Sequence, residues 1–157
     1  MQYQPLPVAG NPPQLSLFEG MLSKAVSPFS KIQVATPAEE RLSEMMLTGS
    51  EAHCRLLIAP ILRDLSQAAD TRWLTLIAPP GSLSHGWLKE SGFNRDRILL
   101  LPEKATQGAL DLACKALMSG CSHTVITWFD RLDRNSRAKL RAAAEQGGAQ
   151  SLNIRMA

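Results

Sequence analysis

From Leu42 onward the chain repeats one unit: a short apolar or β-branched run, a polar or glycine-containing break, and a stretch with helical spacing. The runs fall at residues 42–48, 73–78, 97–101, 123–129 and 151–156. Each has the length of a strand and is too short for a helix. The RILLL run at 97–101 is apolar without alternation, as in a strand covered on both faces. Strands that alternate with helices pair in parallel, because each crossover returns the chain to the same end of the sheet. The expected fold is α/β, a three-layer α/β/α sandwich around a mostly parallel sheet of about five strands.

Helix punctuation supports this order. Ser50 is placed to cap a helix reaching about Ala69, with Leu56, Leu57, Pro60, Ile61 and Leu65 along its inward face and Pro60 bending it. Ser82 or Ser84 caps a short helix that Gly92 ends, and Thr106 caps another whose Leu110, Cys114 and Leu117 share a face until Gly120. Asp133 opens the last helix, which runs to Gln146 and closes at Gly147-Gly148. Residues 1–40 differ: six of the ten prolines lie there (positions 5, 7, 12, 13, 28 and 37), without sustained periodicity. Such a stretch cannot bury enough apolar surface to offset ordering, so a disordered arm over 1–40 and a folded domain over 41–157 are expected.

Composition narrows the class. A chain of 157 residues with 45% hydrophobic content can bury one sizeable core. Its net charge of +3 is a mild basic excess without a concentrated patch, so nucleic acid is not an expected partner. Three cysteines, at 54, 114 and 121, form neither a CxxC pair nor a secretory framework. With no charged n-region leading into an apolar core, and no apolar run of membrane length, the expected location is cytoplasmic and no membrane contact is expected.

The segment RWLTLIAPPGSLSHGWLKESGF at 72–93 is the strongest chemical signal. A strand-like run stops at Pro79-Pro80-Gly81 and turns into a short helix, the layout of a phosphate-binding loop. No Lys-Ser or Lys-Thr follows Gly81, so both the lysine that would reach the phosphates and the hydroxyl that would hold magnesium are missing. The segment therefore reads as a binding surface, and no cofactor or metal is expected.

Other constellations offer less chemistry. His53, His85 and His123 stand far apart and match no metal or nucleophile pattern. Arg131, Arg134, Arg137, Lys139 and Arg141 line one turn and helix, a pattern that reads first as a solvated face. Trp87 stands out because tryptophan and arginine on a protruding loop and helix dominate interface hot spots. In the arm, Gln14, Leu15, Ser16, Leu17 and Phe18 spell QLSLF, the pentapeptide with which many bacterial replication proteins dock into the sliding clamp. A clamp contact through Gln14, Leu15, Leu17 and Phe18 is thus an expectation for the arm.

The series WLTLIAPP, LSxxWLKESGF and RILLL, followed by ALDLACKALMSGCSHTVITWF, resembles the SulA family of SOS-induced bacterial cell division inhibitors. The resemblance runs from Leu42 to about Ile154. It implies a RecA-like core without Walker motifs, no catalysed reaction, a homodimer, and control by the Lon protease. It also implies binding to the tubulin-like protein FtsZ at the subunit surface needed for polymerisation, so that the Z-ring does not form. The positions it ties to that binding are Arg72, Trp87 and Arg97, with Ile77 as a supporting strand residue; Lys89 and Phe93 flank Trp87 on the same segment. Trp87 with Phe93 is expected to form the apolar anchor, and Arg72 and Arg97 to meet acidic groups. The alternative is a RecA-like accessory protein of SOS translesion synthesis acting through RecA or the clamp, which QLSLF favours.

Overall fold

The computed structural model describes residues 41–157. The arm over 1–40, with Gln14, Leu15, Leu17 and Phe18 of the expected clamp motif, lies outside the described residues. The order is β1 (Leu42–Leu47), α1 (Glu51–Ser66), β2 (Trp73–Ile77), α2 (His85–Glu90), β3 (Ile98–Leu101), α3 (Ala109–Met118), β4 (Ser122–Thr127), α4 (Arg134–Gly147) and β5 (Gln150–Met156). Short 3-10 turns at Gly81–Leu83 and Arg95–Arg97 flank α2.

The five strands form one sheet in the order β1-β5-β4-β2-β3, and all four pairings are parallel. Side chains alternate across it. Leu74, Leu76, Ile126 and Ile154 pack with Ile58 and Leu62 of α1 and Leu88 of α2. Ile77 and Val125 pack with Ala113 and Leu117 of α3 and with Leu140, Ala143 and Ala144 of α4. Two helices therefore cover each face, which gives the three expected layers. Strand β4 is buried along its whole length, as a central strand of a doubly covered sheet must be.

Three of the expected caps form: Ser50 Oγ accepts from the His53 amide, Ser84 Oγ from the Trp87 amide and Asp133 Oδ1 from the Ser136 amide. Thr106 does not cap α3. The chain makes an isolated bridge between Lys104 and Gln107, and the helix starts one residue after Gly108. The inward face of α1 also differs from expectation. Cys54, Ile58, Leu62 and Ser66, spaced by one turn, are buried, whereas Leu56 is 73% exposed and Leu57 42%. The helix is apolar on two sides, so periodicity alone did not decide which side meets the sheet.

Gly147 and Gly148 close α4 for different reasons. At Gly148, φ is +61° and the amide donates back to the last turn, so this residue carries the left-handed cap. At Gly147 a Cβ would overlap the Leu117 carbonyl at the end of α3. The two helices touch backbone to backbone there. Gly147→Ala is expected to destabilise the domain by about 1–3 kcal/mol through overpacking. Gly148→Ala has open space around its Cβ and costs only the left-handed conformation, about 1 kcal/mol. Urea midpoints should rank the parent above Gly148→Ala and Gly148→Ala above Gly147→Ala; the reverse order of the two variants would refute the contact.

Candidate functional site

Doubly wound sheets open a crevice where the strand order reverses, outside the carboxyl ends of the strands. Here β2 leads to β3 on one side while its neighbour β4 leads to β5 on the other, so the reversal lies between β2 and β4. Residues 79–81 leave β2 at this point. Ala78 just before them has φ of +45°, a strained conformation for a residue with a Cβ, and its amide is held by the Leu101 carbonyl at 2.8 Å. Across the crevice, buried Asn153 accepts from the Phe129 amide at 2.8 Å and from Thr127 Oγ1 at 3.0 Å, while its Nδ2 donates to the Phe129 carbonyl. The backbone at the reversal point is firmly fixed.

On the β3 side of the turn an open cleft of about 450 Å³ is walled by Ala78, Pro79, Pro80, Leu83 and Leu100, with Ser84, His85 and the carboxylate of Glu103 as polar groups. At the reversal point itself a smaller pocket of about 210 Å³ is lined by Ala78, Pro80, Trp128, Asp130, Ile154 and Met156. Each carries a carboxylate and neither a lysine nor an arginine, a lining that disfavours a phosphate. Gly81 has an ordinary backbone and free space at its Cβ position, so the fold itself does not demand a glycine there. Among the described residues no three of His, Cys, Asp or Glu converge as metal ligands would. The turn directs the chain into α2.

Helix α2 presents Trp87. Its ring lies 5.4 Å from that of Phe93, centroid to centroid, at 50°, and the Arg63 guanidinium sits 5.7 Å over the other ring. Phe93 is only 6% exposed and belongs to the core beneath α1 and α2. It supports Trp87 from below and does not offer its own ring to a partner, which changes its expected part in the anchor. Trp87 itself is half-buried, and Lys89, two residues on and about half a turn round the helix, is exposed. Ile77, 1% exposed, lies in the cluster beneath α3 and α4. Its place is structural.

Arg72 and Arg97 meet at the opposite, amino-terminal edge of the sheet, and the residue that joins them is Asp70. Arg72 donates Nε and a terminal nitrogen to both Asp70 carboxylate oxygens, the shortest contact being 2.6 Å, and donates its other terminal nitrogen to the Gly148 carbonyl at 3.0 Å. Arg97 donates to the Asp70 backbone carbonyl at 2.8 Å. This fork ties β2, the approach to β3 and the end of α4 together. Both arginines were expected to meet acidic groups of a partner; Arg72 already has one of its own, two residues before it. The spacing Asp70-x-Arg72 was visible in the sequence, but nothing local marked it as a hydrogen-bonded turn.

Comparisons with known proteins agree with this layout. The family described as "Cell division inhibitor SulA" matches residues 41–151. A protein named cell division inhibitor SulA from Pseudomonas aeruginosa is 50% identical over 136 residues, covering 87% of this chain and 83% of that protein. One of the same name from Yersinia pestis (strain Pestoides F) is 30% identical over 127 residues, covering 80% and 74%. The crystal structure of SulA from Pseudomonas aeruginosa superposes with a TM-score of 0.71 at 55% identity, covering 74% of this chain and 98% of that one.

The amino-terminal edge also carries a pH dependence. Burial lowers the proton affinity of His123; Asp70 opposes this, and Arg72 and Arg97 add to it. Its pKa is thus lower in the folded than in the unfolded chain. The unfolded chain takes up the proton first, so stability is lost as pH falls through about 6.5. Asp70, held well below the usual carboxylate range by its hydrogen bonds from Arg72, contributes stability that is lost only below about pH 4. Urea midpoints of the parent should fall between about pH 7.5 and about pH 5.5, and those of His123→Gln should fall less. Equal slopes would remove His123 from the account.

Proposed function

Because the chain belongs to the SulA family of cell division inhibitors, we propose that it acts in the SOS response by binding FtsZ and occluding the surface that the next subunit of the filament needs. The observation that carries this reading is the mounting of Trp87. A half-exposed indole on a short helix, backed by a buried phenylalanine that is itself clamped by Arg63, is an anchor whose orientation is set before binding. A preorganised aromatic loses little conformational freedom on docking, which is why such residues contribute so much at interfaces.

The arginine edge has a second part in this reading. Arg72 uses its fork on Asp70 and Gly148. Arg97 uses one terminal nitrogen on the Asp70 carbonyl, which leaves the rest of its guanidinium for an acidic group of the partner. Lys89, exposed and on the same helix as Trp87, supplies a further cation. Arg72 then acts by holding the strand ends in register, and Arg97 and Lys89 by direct contact. Inhibition by occlusion breaks no bond in the partner and needs no cofactor.

The test is sedimentation of FtsZ polymers with the parent and with Trp87→Ala. The parent should keep FtsZ in the supernatant. The variant should stay folded and bind at least about 2 kcal/mol more weakly, roughly thirty-fold in affinity. A folded Trp87→Ala that blocks assembly as well as the parent would contradict the anchor role.

A further inference from the structure

Helix α1 carries a second apolar stripe that the sheet does not use. Ala52 and Leu56, one turn apart, are turned away from the buried row of Cys54, Ile58 and Leu62, and Ala59 at i+7, partly packed on the core, borders them. Leu56 is 73% exposed and Leu57 beside it 42%, a large apolar outlay for one turn of a surface helix. Proline at position 60 lies inside the helix and has no N–H for the Leu56 carbonyl, so this turn also presents a backbone acceptor without its usual donor. The stripe and Trp87 of α2 wall an open groove of about 470 Å³, with Arg55 and Arg63 on its rim. No carboxylate lines it, and neither arginine forms an ion pair among the described residues.

This geometry points to α1 as part of the docking surface: the groove takes a segment of FtsZ that places an apolar side chain between α1 and α2, against Leu56 and Trp87, with carboxylates reaching Arg55 and Arg63. The assignment rests on the FtsZ reading above and extends it from α2 to a helix that the family resemblance did not single out. Two features favour such a partner over a second copy of the chain. The groove is continuous with Trp87, the anchor itself. A two-fold pairing of this groove with its own copy would bring Arg55 and Arg63 towards their equivalents, placing like charges together without an acid between them.

The experiment compares FtsZ sedimentation for the full-length parent, Leu56→Glu, Arg55→Glu, Trp87→Ala and Met118→Glu. Met118, on α3 beneath the other face of the sheet, is 40% exposed and serves as the control for adding a surface charge. Leu56→Glu and Arg55→Glu should each need at least about tenfold more protein for half-maximal inhibition, the loss expected for one buried anchor or one reversed charge at an interface. Met118→Glu should match the parent. Unchanged inhibition by Leu56→Glu beside a weakened Trp87→Ala would overturn the α1 assignment while the FtsZ reading stands. Unchanged inhibition by Arg55→Glu would overturn the acidic character of the bound segment. An equal loss in Met118→Glu would show that any added surface acid suffices, and so would refute the groove. Sedimentation velocity on the same proteins covers the second-copy case: a Leu56→Glu that dissociates a dimer but still inhibits FtsZ assigns the stripe to self-association and overturns the proposal. A parent that leaves FtsZ polymers unaffected would overturn both readings together.

Discussion

Strand β4, buried along all six residues between helices on both faces, is the constraint on which the rest depends. A parallel sheet enclosed in this way leaves the ends of the strands, the edge strands β1 and β3, and the outward sides of the helices free to contact other molecules. At the carboxyl end, where folds of this type commonly bind nucleotides, Ala78, Pro80, Trp128 and Asp130 line the reversal point, and prolines, Leu83 and Glu103 the cleft beside β3; both carry a carboxylate, the wrong charge for a phosphate. At the amino end, Asp70 draws Arg72 and Arg97 into one fork. On the outward side, α1 and α2 leave an aromatic and a leucine uncovered. The fold is maintained by the core and the fork, and the uncovered sides of α1 and α2 are where we propose that recognition takes place.

Backbone requirements concentrate where the elements join. Ala78 is held at positive φ by the Leu101 carbonyl, so the exit from β2 is fixed in direction before α2 begins. Asn153 closes the exit from β4 in the same way, satisfying both sides of its amide. Gly147 allows α3 and α4 to touch, which brings the Gly148 carbonyl within reach of Arg72. A change at the Gly147 contact would therefore also be felt at the arginine edge. That coupling gives a physical reason why a residue can matter to activity without touching a partner.

Much of this was legible in the sequence. The strand-length apolar runs gave the sheet, and Ser50, Ser84 and Asp133 marked helix starts through short-range chemistry that a linear reading can see. The failures share a cause. Leu56 and Leu57 had the spacing of a buried face, but α1 is apolar on two sides, and only the packed sheet decides which one is covered. Phe93 had the composition of a surface anchor and turned out to be its support, because α1 lies over it. Arg72 was expected to seek an acid elsewhere while Asp70 stood two residues away. The absent lysine after Gly81, by contrast, is a purely local fact that a linear reading can see.

The central claim is that this domain inhibits by stoichiometric binding and not by catalysis. The most direct measurement is the critical concentration for FtsZ assembly, followed by light scattering as this protein is added in increasing amounts. Occlusion predicts that the critical concentration rises linearly with the inhibitor, each added molecule withdrawing a fixed number of subunits, and that assembly resumes once FtsZ is in excess. A critical concentration that does not move, or assembly abolished by a small fraction of the FtsZ present, would contradict it.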